Sequence, residues 1–241
     1  MAKQRIDSLL VARGLVESRT KAQALIMAGE VLVAGKPVIK PGTPVKEEAA
    51  ITILEPPPFV GRGGIKLDYA LDQFQIDVSS KVVADIGAST GGFTDCLLQR
   101  GASRVYAIDV GYGQLDYRLR QNQRVVVMER VNARYPVTLP EKVDMVTIDL
   151  SFISVEKVIP SVAKLLKSSG YLIVLIKPQF EAKRGEVGKG GVIKQPIVHA
   201  RVLGRFISWL TEHSFRLEGV VASPIHGASG NKEFLALLRL K

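Results

Sequence analysis

Val82-Val83-Ala84-Asp85-Ile86-Gly87-Ala88-Ser89-Thr90-Gly91-Gly92-Phe93-Thr94 is an apolar run that carries an acid near its end and passes into a glycine-studded turn. The β-branched residues favour an extended strand, and Gly87 admits the positive φ with which a tight turn begins. Gly91 and Gly92 let backbone approach a ligand where a Cβ would collide, and Phe93 and Thr94 open a helix. A strand, a glycine turn and a helix in that order build a nucleotide-cofactor pocket. The glycine spacing departs from the dinucleotide fingerprint G-x-G-x-x-G. Asp85 stands ahead of the turn, where a carboxylate can accept hydrogen bonds from a cationic or amino-acid-like cofactor. S-adenosylmethionine fits that arrangement better than a dinucleotide. The cofactor residues read from this stretch are Asp85, Gly87, Ala88, Ser89, Thr90, Gly91, Gly92, Phe93 and Thr94.

Outward from that turn, strands alternate with helices, the pattern of an α/β fold with a doubly wound parallel sheet. Strands are predicted to end at Asp85, Asp109, Met128, Asp149 and Ile176, with later ones over 217–222 and 234–238. Helices are predicted over 66–74, 156–167 and 196–212, the last opening with Pro196 at a position natural for N1. Five parallel strands and a closing pair suit a methyltransferase sheet, whose last hairpin inserts one antiparallel strand between two others.

Glu55-Pro56-Pro57-Pro58 resists both helix and central strand and marks a semi-rigid linker over 56–61, between a unit at 1–55 and a domain at 62–241. In the leading unit Ile6, Leu9 and Leu10 repeat at helical spacing until Gly14. Ser18 is placed to cap a second helix, which buries Ala22, Leu25 and Ile26 and stops at Gly29. Short strands follow at 31–33, around Val38, and at 51–53, with a turn at Ala34-Gly35-Lys36.

A net charge of +10 favours polyanionic partners, because Lys and Arg that neutralise phosphates release counterions. Residues 1–60 carry only +2 of it, so charge alone does not locate a binding face. No run approaches the roughly 18 apolar residues of a membrane span, and no signal-like core opens the chain, so a cytoplasmic protein is expected. The single cysteine, Cys96, excludes an internal disulfide and reads as a small core residue. His199, His213 and His226 have no ligand spacing, and no metal is expected.

Ligands of open α/β sheets bind beyond the carboxyl ends of the strands, so polar residues there are the ones that can carry chemistry. Asp109, followed by Val110, is placed to take both hydroxyls of a cofactor ribose. Asp149 ends a mostly apolar strand and needs a cation or donors there. Lys177 ends the most apolar strand, Tyr171 to Ile176, and is followed by Pro178. Burial and a second ammonium favour a neutral amine, so a lysine at such a place can act as a base. The loop Lys183-Arg184-Gly185-Glu186-Val187-Gly188-Lys189-Gly190-Gly191 lacks Walker spacing and reads as a substrate-gripping lid or a flexible surface loop.

Two sets of words carry a resemblance. Arg5-Ile6-Asp7-x-x-Leu10, Gly14-Leu15-x-x-Ser18-Arg19-x-x-Ala22 and Leu25-Ile26-x-x-Gly29-x-Val31-x-Val33-x-Gly35 resemble the S4-type RNA-binding domain, a small α+β unit. Lys66, Asp149, Lys177 and Glu233 repeat the K-D-K-E order of FtsJ-like RNA ribose methyltransferases, which have a Rossmann-like class I methyltransferase sheet. With Asp149-Leu150-Ser151-Phe152-Ile153-Ser154, Lys177-Pro178-Gln179-Phe180-Glu181 and the domain order, nearly the whole chain is similar to the TlyA family of haemolysin A-like ribosomal RNA 2′-O-methyltransferases. Gly61, where a serine is expected, and His226-Gly227-Ala228-Ser229, in place of a more basic loop, depart from it.

The resemblance implies methyl transfer from S-adenosylmethionine to a ribose 2′-hydroxyl, of a cytidine in ribosomal RNA, with the large subunit favoured by the short chain ends. It implies Lys177 as general base and Lys66, Asp149 and Glu233 as its partners, with Asp149 also touching the cofactor. RNA contacts are expected from Arg5, Arg19, Lys21, Arg62, Lys183, Arg184 and Lys189. Two rival readings are a non-catalytic RNA-binding or ribosome-assembly protein on the same fold, and a membrane-lytic haemolysin, for which no amphipathic or spanning segment is found.

Overall fold

Ser18 shows how local chemistry starts this fold: extended at φ −150° and ψ 157°, it accepts a hydrogen bond from the Lys21 amide at 3.2 Å and so caps the helix that follows. The computed structural model describes residues 3–54, 57–183 and 185–241. The chain divides into two compact units, 1–57 and 58–241. In the first, β1 (Lys3–Arg5) leads into α1 (Ile6–Ala12), α2 (Arg19–Met27), β2 (Val31–Val33), β3 (Lys36–Pro37), β4 (Pro44–Lys46) and β5 (Ile51–Ile53). β2 pairs with β3 and β5, and β1 pairs antiparallel with β4. Ala34 and Gly35, both at positive φ (48° and 76°), make the tight turn between β2 and β3. Ile6, Leu9, Leu10, Ala22, Ile26, Val31 and Val45 form the core. Each large side chain sealed there contributes roughly 2 kcal/mol.

The second unit holds α3 (Gly63–Gln73), β6 (Val82–Ile86), α4 (Gly92–Gln99), β7 (Arg104–Ile108), α5 (Tyr117–Arg120), β8 (Val125–Met128), β9 (Val143–Ile148), α6 (Ile159–Val162), β10 (Leu166–Ile176), α7 (Pro178–Glu181), α8 (Pro196–Glu212), β11 (Phe215–Ala222) and β12 (Phe234–Leu240). The seven-stranded sheet runs β11-β12-β10-β9-β6-β7-β8, and β12 is antiparallel to both its neighbours. Its two faces are both buried: Val83, Ile173 and Leu175 face one core, and Ala84, Leu172 and Val174 the other. That double burial explains the unbroken apolar run of β10.

The helix predicted over 156–167 is a correction. The chain there makes a short 3₁₀ turn at Val155–Lys157, the four-residue α6 and another 3₁₀ turn at Ala163–Leu165, and β10 already begins at Leu166. Pro160, in the first turn of α6, has no N–H to continue a helix begun upstream. Val158, Val162 and Leu165 remain buried, so the apolar spacing marked a packed face without marking one continuous helix.

Register positions the site. Val174 pairs with Ile148 in β9, and Ile176 pairs with Phe234 in β12. Lys177 and Glu233 therefore continue adjacent strands opposite one another, and Asp149 leaves the next strand along.

Candidate active site and cofactor cleft

Gly87 leaves β6 at φ +82°, and a side chain there would run into the Asp149 carbonyl. Gly91, at φ +99°, is crowded by Leu115 and Leu119 and starts α4. Both positions need glycine, one for close backbone approach and both for their backbone angle. The turn opens onto a cleft of about 470 Å³ lined by Gly87, Ser89, Asp109, Val110, Asp149 and Leu150, and also by Asn132, Ala133, Ser151 and Phe152. Asp109 accepts the Ser89 amide on Oδ2 at 2.8 Å and the Gly111 amide on Oδ1 at 2.6 Å. Each carboxylate oxygen keeps a lone pair for the two hydroxyls of a ribose. Beside it Val110 is 69% exposed, an apolar surface suited to an adenine face. These residues fit S-adenosylmethionine.

Asp85 corrects the sequence reading. Its carboxylate is fully buried and does not line the cleft. It accepts from Thr94 Oγ1 at 2.7 Å and Thr147 Oγ1 at 2.9 Å, tying α4 to β9 under the turn. Burial pushes its carboxyl up to about 7, against the opposing pull of the two threonine hydroxyls. Thr94 and Phe93 are likewise buried, and Ala88 packs in the core; with Thr90, Gly91 and Gly92 they build the turn and the first turn of α4 and are not cleft wall.

The four residues expected to act together are gathered into two ion pairs at the strand ends. Lys66 Nζ meets Glu233 Oε2 at 2.5 Å, with both side chains nearly sealed. Lys177 Nζ lies 2.6 Å from Asp149 Oδ1 and donates to Ser151 Oγ at 3.0 Å. Gly63, one turn before Lys66 on α3, packs against Phe93 and the Asp149 carboxylate: a Cβ there would stand 3.2 Å from the ring and 3.6 Å from Oδ2. α3 thus carries Lys66 to Glu233, with Gly63 of the same helix beside the Asp149 carboxylate.

Sequence reasoning used the stretch after Asp149 for the resemblance alone and gave Ser151 and Phe152 no role in the site. Phe152 is 91% exposed at φ +67° and lies 5.1 Å from the Phe180 ring, centroid to centroid. The Val155 amide donates to Glu181 Oε1 at 2.9 Å, so α7 braces this loop, and burial raises the Glu181 carboxyl. The available signal was an aromatic set between serines directly after a strand-end acid.

The residues expected to contact RNA are placed unevenly. Arg5 and Arg19 remain half-exposed, but both donate to Asp7, which is sealed and also accepts from Gln23. The Arg5 hydrogen bonds lead in holding the Asp7 carboxyl far below the usual carboxylate range. Lys21 is exposed. Arg62 Nη2 donates to the His226 carbonyl at 2.6 Å, bracing the start of α3 to the loop before β12. Lys183 is exposed, while Arg184 and the Lys189 side chain lie outside the described residues. The loop at 183–191 is anchored at both ends. Glu186 accepts from the Lys183 amide, Arg201 and Arg205, and the guanidiniums, Arg201 first, hold its carboxyl down at about 2. Buried Asn231 accepts from the Ile193 amide at 2.9 Å and donates to the Gly191 carbonyl at 2.8 Å.

Cys96 is buried, and burial raises its thiol well above the ordinary range, as suits a core residue. Among the described residues no cluster of metal-ligating side chains occurs, and no helix is long and apolar enough to cross a membrane.

Comparison with known proteins matches residues 59–240 to the FtsJ-like methyltransferase family and residues 4–51 to the S4 domain. The chain is 47% identical over 240 residues to YqxC of Bacillus subtilis, described as a candidate rRNA methyltransferase, covering 97% of this chain and 84% of that protein. It is 44% identical over 241 residues to the 16S/23S rRNA (cytidine-2′-O)-methyltransferase TlyA of Mycobacterium tuberculosis, covering 98% and 90% of the two chains. A solved structure from Streptococcus thermophilus, described as a candidate hemolysin, superposes with a TM-score of 0.76 at 40% identity, over all of this chain and 90% of the other.

Proposed function

Because the chain belongs to the FtsJ-like methyltransferase family, and along nearly its full length to the TlyA proteins within it, we propose that it methylates a cytidine ribose 2′-hydroxyl in ribosomal RNA. S-adenosylmethionine, when bound, supplies a methyl group already activated by the sulfonium. Gly87, Ser89 and Asp109 would hold it, and Val110 would flank its adenine. The reading rests chiefly on one observation: a strand-end lysine, Lys177, is ion-paired with Asp149, which itself lines the cleft that fits this donor.

A ribose hydroxyl is a poor nucleophile, so a group must take its proton as it attacks. Lys177 first yields its ammonium proton to solvent; the neutral Nζ then takes the ribose proton, and Asp149 offsets the charge that arrives with it. Lys66, sealed with Glu233, ties α3 to the start of β12 behind the base. Phe152 offers an exposed ring on which a base drawn from its stack rests. Alignment of oxygen, methyl and sulfur then supplies much of the acceleration, without a metal. The S4 unit holds the RNA through Arg5, Arg19 and Lys21, with Asp7 fixing the two guanidiniums.

The test is incubation of unmethylated ribosomal subunits with labelled S-adenosylmethionine, followed by mass mapping. Label on one cytidine ribose is expected. No incorporation despite calorimetric binding of the donor would favour a non-catalytic RNA-binding protein.

A further inference from the structure

Ser151 stands on the cleft wall and outside the four charged residues, and it makes the directional contact to the proposed base. Lys177 Nζ is close to Asp149 Oδ1, but that oxygen accepts no aligned hydrogen bond. Their attraction is therefore chiefly Coulombic, and Coulomb attraction sets separation without setting the aim of the N–H groups. The aligned bond of Nζ goes to Ser151 Oγ, at 3.0 Å. A lysine headgroup on four rotatable carbons loses its aim easily, so a single well-placed acceptor decides where the remaining N–H or lone pair points.

Ser151 is itself held. The Asp149 amide donates to the Ile86 carbonyl at 2.9 Å on one side of it, and the Val155 amide donates to Glu181 Oε1 on the other. Ser151 is exposed and lines the cleft. Asp149 Oδ1 holds the headgroup close without an aligned bond, and the Phe180 ring centroid stands 6.0 Å from Nζ and accepts no directed bond.

We infer that Ser151 is a positioning residue that aims the Lys177 amine at the substrate hydroxyl, an inference that rests on the reading of Lys177 as the base. Asp149 balances the charge of the headgroup, and Ser151 directs it. The proton moves from the ribose oxygen to Nζ, and the serine hydroxyl keeps its own.

The experiment compares Ser151→Ala and Ser151→Thr with the unsubstituted protein on unmethylated ribosomal subunits, measuring single-turnover rate, KM for the subunit, S-adenosylmethionine affinity and melting temperature. Ser151→Ala is expected to slow the chemical step about ten- to hundredfold, the cost of a misaimed group, with KM, donor affinity and melting unchanged. Ser151→Thr, which keeps the hydroxyl, is expected to restore most of the rate. A merely structural role would move KM, donor affinity and melting together. Ser151→Ala turning over at nearly the full rate, or Ser151→Thr as slow as Ser151→Ala while folded, overturns the inference. Lys177→Ala is run beside them: full activity there defeats the reading of Lys177 as the base, whereas inactivity there with a fast Ser151→Ala defeats only the role of Ser151.

Discussion

Lys66–Glu233 and Lys177–Asp149 pair the same kinds of group, yet solvent treats them differently: the side chains of the first are 9% and 3% exposed, those of the second 13% and 22%. Two acids repeat the contrast, Asp85 at no exposure and Asp109 on the cleft wall. A charge sealed with its partner serves the fold, because removing one member strands the other away from water. A charge at the cleft is free to exchange its partner for a substrate atom. Depth thus separates groups closed off with their partners from groups open to a ligand.

The strongest test of that division is Lys177→Ala, expected to lower turnover about 10²- to 10⁴-fold while melting and calorimetric donor affinity stay near those of the unsubstituted protein. Glu233→Ala should behave oppositely in urea unfolding. It strands Lys66 and is expected to cost about 3–5 kcal/mol, a loss that replacing both partners by well-packed apolar residues recovers. If Glu233→Ala unfolds normally and only slows catalysis, the sealed pair belongs with the open one.

The acids extend the comparison to pH. The Asp85 carboxyl is raised in the folded protein, so its neutral form is the favoured one. Its contribution is complete below the ordinary carboxylate range and is lost as pH rises through about 7. Melting followed between pH 4 and 8 should therefore show a decline of roughly 2–4 kcal/mol that Asp85→Asn flattens. Asp109→Ala should leave that decline intact and weaken S-adenosylmethionine about tenfold, the worth of one lost set of hydrogen bonds. A decline that survives in Asp85→Asn assigns it to another group.

That pair of acids also shows what could be read from the chain. The strand, turn and helix around Gly87 were legible, as were the caps at Ser18 and Gly29, while the inserted antiparallel strand followed from the methyltransferase class. The fate of Asp85 was not, although alternation contained it: Asp85 lies inside β6, on the face of Val83, while Asp109 comes one residue after β7 has ended. Register makes the point, because Asp85 pairs with Ala107, and the β6 counterpart of Asp109 is Gly87. Long-range partners were the other blind spot. Nothing near Arg62 in the sequence announces a carbonyl at His226, and nothing near Ser151 announces the amine of Lys177, since both contacts depend on which strand ends are neighbours. The break at Pro160 was visible, but the apolar spacing around it argued the other way.

The antiparallel insertion of β12 has a consequence for biosynthesis. During translation β10 and β11 leave the ribosome before the strand that belongs between them, so the edge of β10 stays bare until residues 234–240 emerge. An uncovered edge of that apolarity invites pairing with other nascent chains. Glu233 arrives with the same strand, so Lys66 waits uncompensated until then. The S4 unit, complete some 180 residues earlier, can fold while the methyltransferase unit behind it is still unfinished.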